Sequence, residues 1–226
     1  MRTFAVSDRW KERWPGAVAA CMIVTGASNP ASAPALDERL VTIENGLRER
    51  YAGKDRAVLR SMAPFDSYDR YYKSFGQNYH VLHQVESVAL KNKPIPRRAA
   101  LVEAAFAEEL RNGLLTAMHD ADAIGPAIVT DAANGMETVT LYNGKTVTLD
   151  DGDMFMRDEH GILTSVVRGP AAYGLVTPET VHVAVCVYAP AGIGPDPVTQ
   201  HLQAIADNMR LVSEEAEIEF LEVIEA

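Results

Sequence analysis

Hydrophobic positions change their period near the middle of the chain, and the change sorts the predicted elements. Residues 16–25, GAVAACMIVT, are an almost unbroken apolar run, which predicts a strand buried on both faces. The Pro/Ser/Ala segment 27–35 reads as a loop. Leu36, Leu40, Ile43, Leu47 and Tyr51 then follow at spacings of four, three, four and four, one face of a helix that Gly53 stops. A shorter helical piece, DRAVLRSM, ends before Pro64. Phe65, Tyr68, Tyr71, Tyr72, Phe75 and Tyr79 predict a helix packing rings into a core, continuing through Leu82 and Val85 to about Leu90. KNKPIPRR is a basic turn whose prolines block helix. Residues 99–111, AALVEAAFAEELR, predict a strong helix. Leu101, Ala105, Phe106 and Leu110 face the core, Glu103, Glu108 and Glu109 face away, and Asn112-Gly113 ends it.

LLTAMH opens the second half as a strand, and after Pro126 the period is that of strands. AIVTDA, ETVTLYNGKTVTLDD, DMFMRDEHGILTSVVRG and TVHVAVCVYAP are rich in Val, Ile and Thr. Asn143-Gly144 marks a tight hairpin. Pro195 or Pro197 opens a helix with Leu202, Ile205 and Met209 on its apolar face. The tail EEAEIEFLEVIEA alternates charge with apolar residues, an edge strand guarded by its charges. The expectation is one α/β (α+β) domain over residues 1–226, a mixed, mostly antiparallel sheet with packed helices.

Composition narrows the class. Length 226 with 47 % apolar and 23 % charged residues is globular, and no apolar run approaches the ~18 residues of a membrane span. A net charge of −10 argues against broad, tight phosphate binding, although the 21 Lys and Arg allow a local basic strip. Cys21 and Cys186 each lie in an apolar run, as core thiols of a reducing, cytoplasmic compartment do. Arg2, Arg9, Lys11 and Arg13 before AVAACMIVTG, with Ala31-Ser32-Ala33 after it, imitate a secretory leader. Asp8, Glu12, Trp10 and Trp14, and the early break at Thr25-Gly26, favour a buried strand instead.

Candidate chemistry centres on residues 112–125, NGLLTAMHDADAIG, where an apolar strand ends in His119, Asp120 and Asp122. In a regular strand His119 points one way and Asp120 and Asp122 the other, so a shared pocket requires the strand to break at His119. With that break, the histidine could hold a water and a carboxylate a cationic group. Without it, the three groups simply end a strand and face water. His80 and His83, three apart, complete no familiar metal spacing, so no metal and no cofactor is expected. No phosphate loop, dinucleotide glycine fingerprint or nucleophile elbow is present. The aromatic stretch has a second reading as a stacking surface, with Lys73, Lys91, Lys93, Arg97 and Arg98 at phosphates.

YYKSFGQNYHVLHQVESVALKNKPIPR, ELRNGLLTAMHDADAIG, and GDMFMRDEHGILTSVVRGP through VAVCVYAP carry a resemblance, with WPGAVAACMIVTGASNP near the start. They resemble the free-standing B3/B4 domain proteins, relatives of the editing module in the phenylalanyl-tRNA synthetase beta subunit. The resemblance implies trans-acting hydrolysis of the ester of a mischarged tRNA, with the aminoacylated 3′ end as partner. It puts an active-site histidine at His119 and a family arginine at Arg97 or Arg98, and the family's glycine-containing pocket turn at Arg168-Gly169. Asn112, Asp120 and Asp122 complete the expected substrate-binding set, Asp120 or Asp122 anchoring the α-ammonium. Two departures stand out: Ala184 occupies the module's pocket-glutamate position, and its Thr-Asp-Ala segment has no counterpart. The rivals are a non-catalytic tRNA- or RNA-binding module and a protein that binds a small metabolite.

Overall fold

The computed structural model describes residues 2–97 and 99–226. The first half runs β1 (Thr3–Val6), α1 (Asp8–Arg13), β2 (Val18–Thr25), α2 (Pro34–Arg50), α3 (Arg56–Arg60), α4 (Phe65–Ser74), α5 (His80–Ala89) and α6 (Ala100–Asn112). After it come β3 (Thr116–Asp120), β4 (Ala127–Ala132), β5 (Thr138–Thr140), β6 (Thr146–Thr148), β7 (Met154–Arg157), β8 (Ile162–Ser165), β9 (Gly169–Pro170) and β10 (Val183–Ala189). The helix α7 (Pro195–Arg210) and the strand β11 (Glu217–Glu225) close the chain.

The strands form two main sheets and a small ribbon. One sheet has the order β11-β2-β10-β3 and is antiparallel throughout. The other has the order β1-β4-β7-β8-β9, with β1 parallel to β4 and the rest antiparallel; β5 and β6 make the ribbon. This is the expected mixed, mostly antiparallel α+β architecture. The central strands of the first sheet are its most apolar: all seven residues of β10 are buried, as are the first seven of β2. The tail does form an edge strand, with its glutamates spaced along it. Cys21 and Cys186 meet in register across β2 and β10 as buried free thiols, Sγ to Sγ 3.9 Å.

The aromatic stretch is core. Tyr68, Tyr71, Tyr72 and Tyr79 are buried, so their rings offer no stacking surface to a base. Their hydroxyls stitch helices to sheets: Tyr68 donates to the Tyr188 carbonyl at 2.6 Å, Tyr72 to Val166 at 2.7 Å and Tyr71 to the Asp153 carboxylate at 2.8 Å. Each tyrosine thus buries a large apolar ring without leaving its polar tip unbonded. The predicted single helix is two, α4 and α5, because the chain turns at Gly76 with φ +67°.

One expectation about α6 is overturned. Glu103, Glu108 and Glu109 do not face water: all three are buried. The helix packs against α2, α5, α7 and β3, and the side that carries Val102 and Phe106 is the one left partly open. Glu108 is neutralised in place, accepting from Arg111 Nε at 3.0 Å, Asn112 Nδ2 at 3.1 Å and Asn208 Nδ2 at 3.1 Å. Glu109 accepts the Thr116 backbone N–H at 2.6 Å and so ties the helix to the first residue of β3. Gly113, at φ +69°, reverses the chain between them.

Candidate functional site

β3 is an edge strand, and the space beside it is the start of the site. A cleft of about 440 Å³ opens between α6, β3 and the β8–β9 end of the other sheet. Ala105, Phe106 and Met118 make apolar walls, and Val102 and Tyr142 stand exposed at the mouth. Tyr142 is held there by the ribbon, its N–H donating to the Pro170 carbonyl at 3.1 Å.

Glu109 and Tyr188 are two of the polar residues that border this largely apolar space. Burial pushes the Glu109 carboxyl up to about 8, with the Thr116 N–H partly opposing the shift, so at neutral pH it is mostly protonated. Tyr188 projects from β10 and its hydroxyl has no hydrogen-bond partner among the described residues. Burial holds that phenol well above its ordinary pKa, with Thr164 partly offsetting the rise. A neutral acid and an unengaged hydroxyl in an apolar cleft can bind a cationic or hydrogen-bonding group that brings an apolar body with it. His80 borders the same cleft, and burial with the nearby His83 lowers its pKa.

Thr116, at the cleft, begins a hydrogen-bonded chain leading away from it. His201 of α7 is fully buried, and burial first, then Arg111, lowers its pKa to about 3. Its Nδ1 lies 3.1 Å from Asn112 Nδ2 and its Nε2 2.8 Å from Thr116 Oγ1. Since Asn112 Nδ2 also meets the Glu108 carboxylate at 3.1 Å, that amide nitrogen is the donor to Nδ1. The proton of His201 therefore sits on Nε2 and is donated to Thr116. In this arrangement His201 positions the threonine and does not withdraw its proton.

The residues singled out from sequence are dispersed. His119 is fully buried on the sheet face that also carries Ala117, Ala184, Cys186 and Tyr188. It does not line the cleft, and neither ring nitrogen has a hydrogen-bond partner among the described residues. Burial lowers its pKa to about 4, opposed by the Gly174 carbonyl, which already accepts from the Asp120 N–H at 2.9 Å. Asp120 organises the turn, accepting from Thr180 Oγ1 at 2.6 Å and the Asp122 N–H at 2.9 Å. Asp122 is exposed and pairs with His182 Nδ1 at 2.8 Å and with Arg2 at 3.7 Å. Arg97 clamps residues 95–97 to α2 through Glu44 at 2.9 Å and Asp37 at 3.4 Å. Arg98 lies outside the described residues. Arg168 pairs with Asp150 at 2.7 Å, while Gly169 beside it does border the cleft. Asn112 is bonded inward as described. Among the described residues of this set only Gly169 touches the cleft; the plainer reading, three groups that end a strand and face water, fits the exposed Asp122, whereas Asp120 is half-buried and His119 is buried.

Glu109 was the residue missed. Its signal lay in the spacing: Leu101, Ala105 and Glu109 are each four apart, so the glutamate belongs to the stripe that packs inward. A carboxylate on an apolar stripe is a functional candidate that periodicity alone exposes.

No protein-family model matches the chain, and no curated protein matches it in sequence. In three dimensions it is similar to the N-terminal fragment of the phenylalanyl-tRNA synthetase beta-subunit from Pyrococcus horikoshii, with a TM-score of 0.50 and 14 % sequence identity. The match covers 99 % of this chain and 54 % of that one, so the chain spans about half the length of the fragment it resembles. At that identity the likeness is one of fold.

Proposed function

From the shared fold and the cleft together, we propose that this protein receives the aminoacylated 3′ end of a tRNA and hydrolyses the ester of a mischarged amino acid in trans. The observation that carries the reading is a buried carboxyl, Glu109, in an apolar cleft of amino-acid size. An aminoacyl ester brings an α-ammonium beside an apolar side chain. The ammonium would draw Glu109 into its ionised form, and the walls around Phe106 would take the side chain. The Tyr188 hydroxyl, held neutral by burial, would donate to the carbonyl oxygen as charge develops there. The ester is already activated, so a water entering past Val102 and Tyr142 completes the requirement.

The test is deacylation of a panel of mischarged tRNAs by the wild type, Glu109→Gln and Tyr188→Phe. Loss of a buried anchor or an oxyanion donor lowers the rate on the order of 10²-fold. Phenylalanine keeps the buried ring and removes only the hydroxyl, so that variant keeps its fold. A wild type no faster than spontaneous hydrolysis, or both variants at the wild-type rate, would sink the proposal. A second reading has its own observation: His119 lies outside the cleft, which favours a module that binds the charged end without cleaving it. Binding of charged tRNA without deacylation across the panel is its signature.

A further inference from the structure

A second cavity, of about 360 Å³, lies on the other side of residues 112–116: Asn112 and Leu114 line it, while Leu115 and Thr116 line the cleft. Its charge is unlike that of the whole molecule. The chain carries −10, yet among its described lining residues this cavity presents two guanidiniums, Arg50 and Arg111, and no carboxylate.

The two arginines are held in different ways. Arg111 gives its Nε to the buried Glu108 at 3.0 Å, which fixes the side chain. Arg50 donates Nη1 to the Arg111 backbone carbonyl at 2.8 Å, and both residues line the cavity. Every other described arginine has a carboxylate within ion-pair distance; Arg50 has none among the described residues. The rest of the described lining is uncharged: His201 is neutral, Gln200 and Asn112 are amides, and Pro64, Leu114 and Ile193 are apolar. Two forked cations on one cavity, of which among the described residues only Arg111 has a carboxylate partner and that on its Nε, are suited to an oxyanion that accepts from both.

We infer that this cavity is a phosphate-binding site, Arg50 and Arg111 each donating to the phosphate oxygens. The phosphate is either a backbone phosphodiester of RNA or the group of a free phosphate ester. The inference does not depend on ester hydrolysis in the cleft, and its readouts do not include deacylation.

The experiment titrates the full chain with inorganic phosphate against chloride at matched ionic strength, following backbone amide shifts by NMR. Saturable shifts at Gly192 and Gln200 are expected. Arg50→Gln weakens them ~10-fold, the scale of a lost charge-assisted contact. Arg70→Gln serves as control, because it removes the same charge from a pair with Asp66 outside the cavity lining and leaves the affinity unchanged. Arg50 is exposed, so its variant folds whether or not Arg111→Gln does. A parallel arm measures binding of an unfractionated tRNA pool across salt. A salt slope shallower by ~0.9 in Arg50→Gln assigns the site to a backbone phosphate. An unchanged slope with weakened phosphate binding assigns it to a free ester. No saturable shift with phosphate, or equal weakening by Arg50→Gln and Arg70→Gln, overturns the inference.

Discussion

Buried ionisable side chains set how this protein responds to pH. Glu109 holds its proton up to about 8, against an ordinary value of 4.5. Between those values the folded state binds more protons than the unfolded one, so this group lowers stability progressively from pH 4.5 to 8. Glu109→Gln should flatten that descent: its melting temperature exceeds the wild type's at pH 8.5 and matches it at pH 4.5, as scanning calorimetry would show. His119 acts on the opposite limb. Its pKa falls from 6.5 to about 4, so the folded state binds fewer protons there and stability drops as pH falls through that window. His119→Phe keeps a ring and removes the titration, so the variant loses less stability than the wild type between pH 6.5 and 4. An unchanged acid limb would mean that the imidazole is solvated in the native state. The same variant should deacylate near the wild-type rate, since the ring does not border the cleft.

At the scale of elements, the join between α6 and β3 matters most, because it places Glu108, Glu109, Asn112 and Thr116 together. Gly113 makes the join at φ +69°, and a Cβ there would come 2.8 Å from Phe65 Cε1 and 3.1 Å from Pro64 Cγ. Gly113→Ala should therefore cost about 2–4 kcal/mol, the left-handed penalty plus overpacking, readable as a lower denaturation midpoint. The helices α2, α6 and α7 were legible in the sequence because each carries a stripe of apolar residues at helical spacing. The elements β1 and α1 were not. β1 has four residues and gains its strand character only by pairing in parallel with β4. α1 is one short turn-and-a-half capped by Ser7, whose hydroxyl accepts from the Trp10 N–H at 3.0 Å.

At the scale of the whole molecule, the two sheets and the helix layer create cavities that no segment contains. The cleft borrows walls from α6, β3, the β8–β9 corner and the β5–β6 connection, so narrowing it should affect function without unfolding the chain. Ala117→Phe, on the edge strand, places a ring in the cleft beside Tyr188. It should abolish deacylation while circular dichroism and the melting temperature stay near wild type; full activity in a folded variant would move the site elsewhere. Among the described residues, no helix is long and apolar enough to cross a membrane. By itself the sequence determined most of the local elements, the buried central strands, the charged edge at β11 and the mixed α+β class. Those follow from periodicity and propensity, which act over a few neighbouring residues. Only the tertiary structure decided that His119 lies in a closed core, that Glu109 faces a cleft and that Arg50 and Arg111 share a cavity. Each depends on what arrives from a distant part of the chain to cover a side chain or leave it open, and burial sets both the charge state and the reach of that side chain.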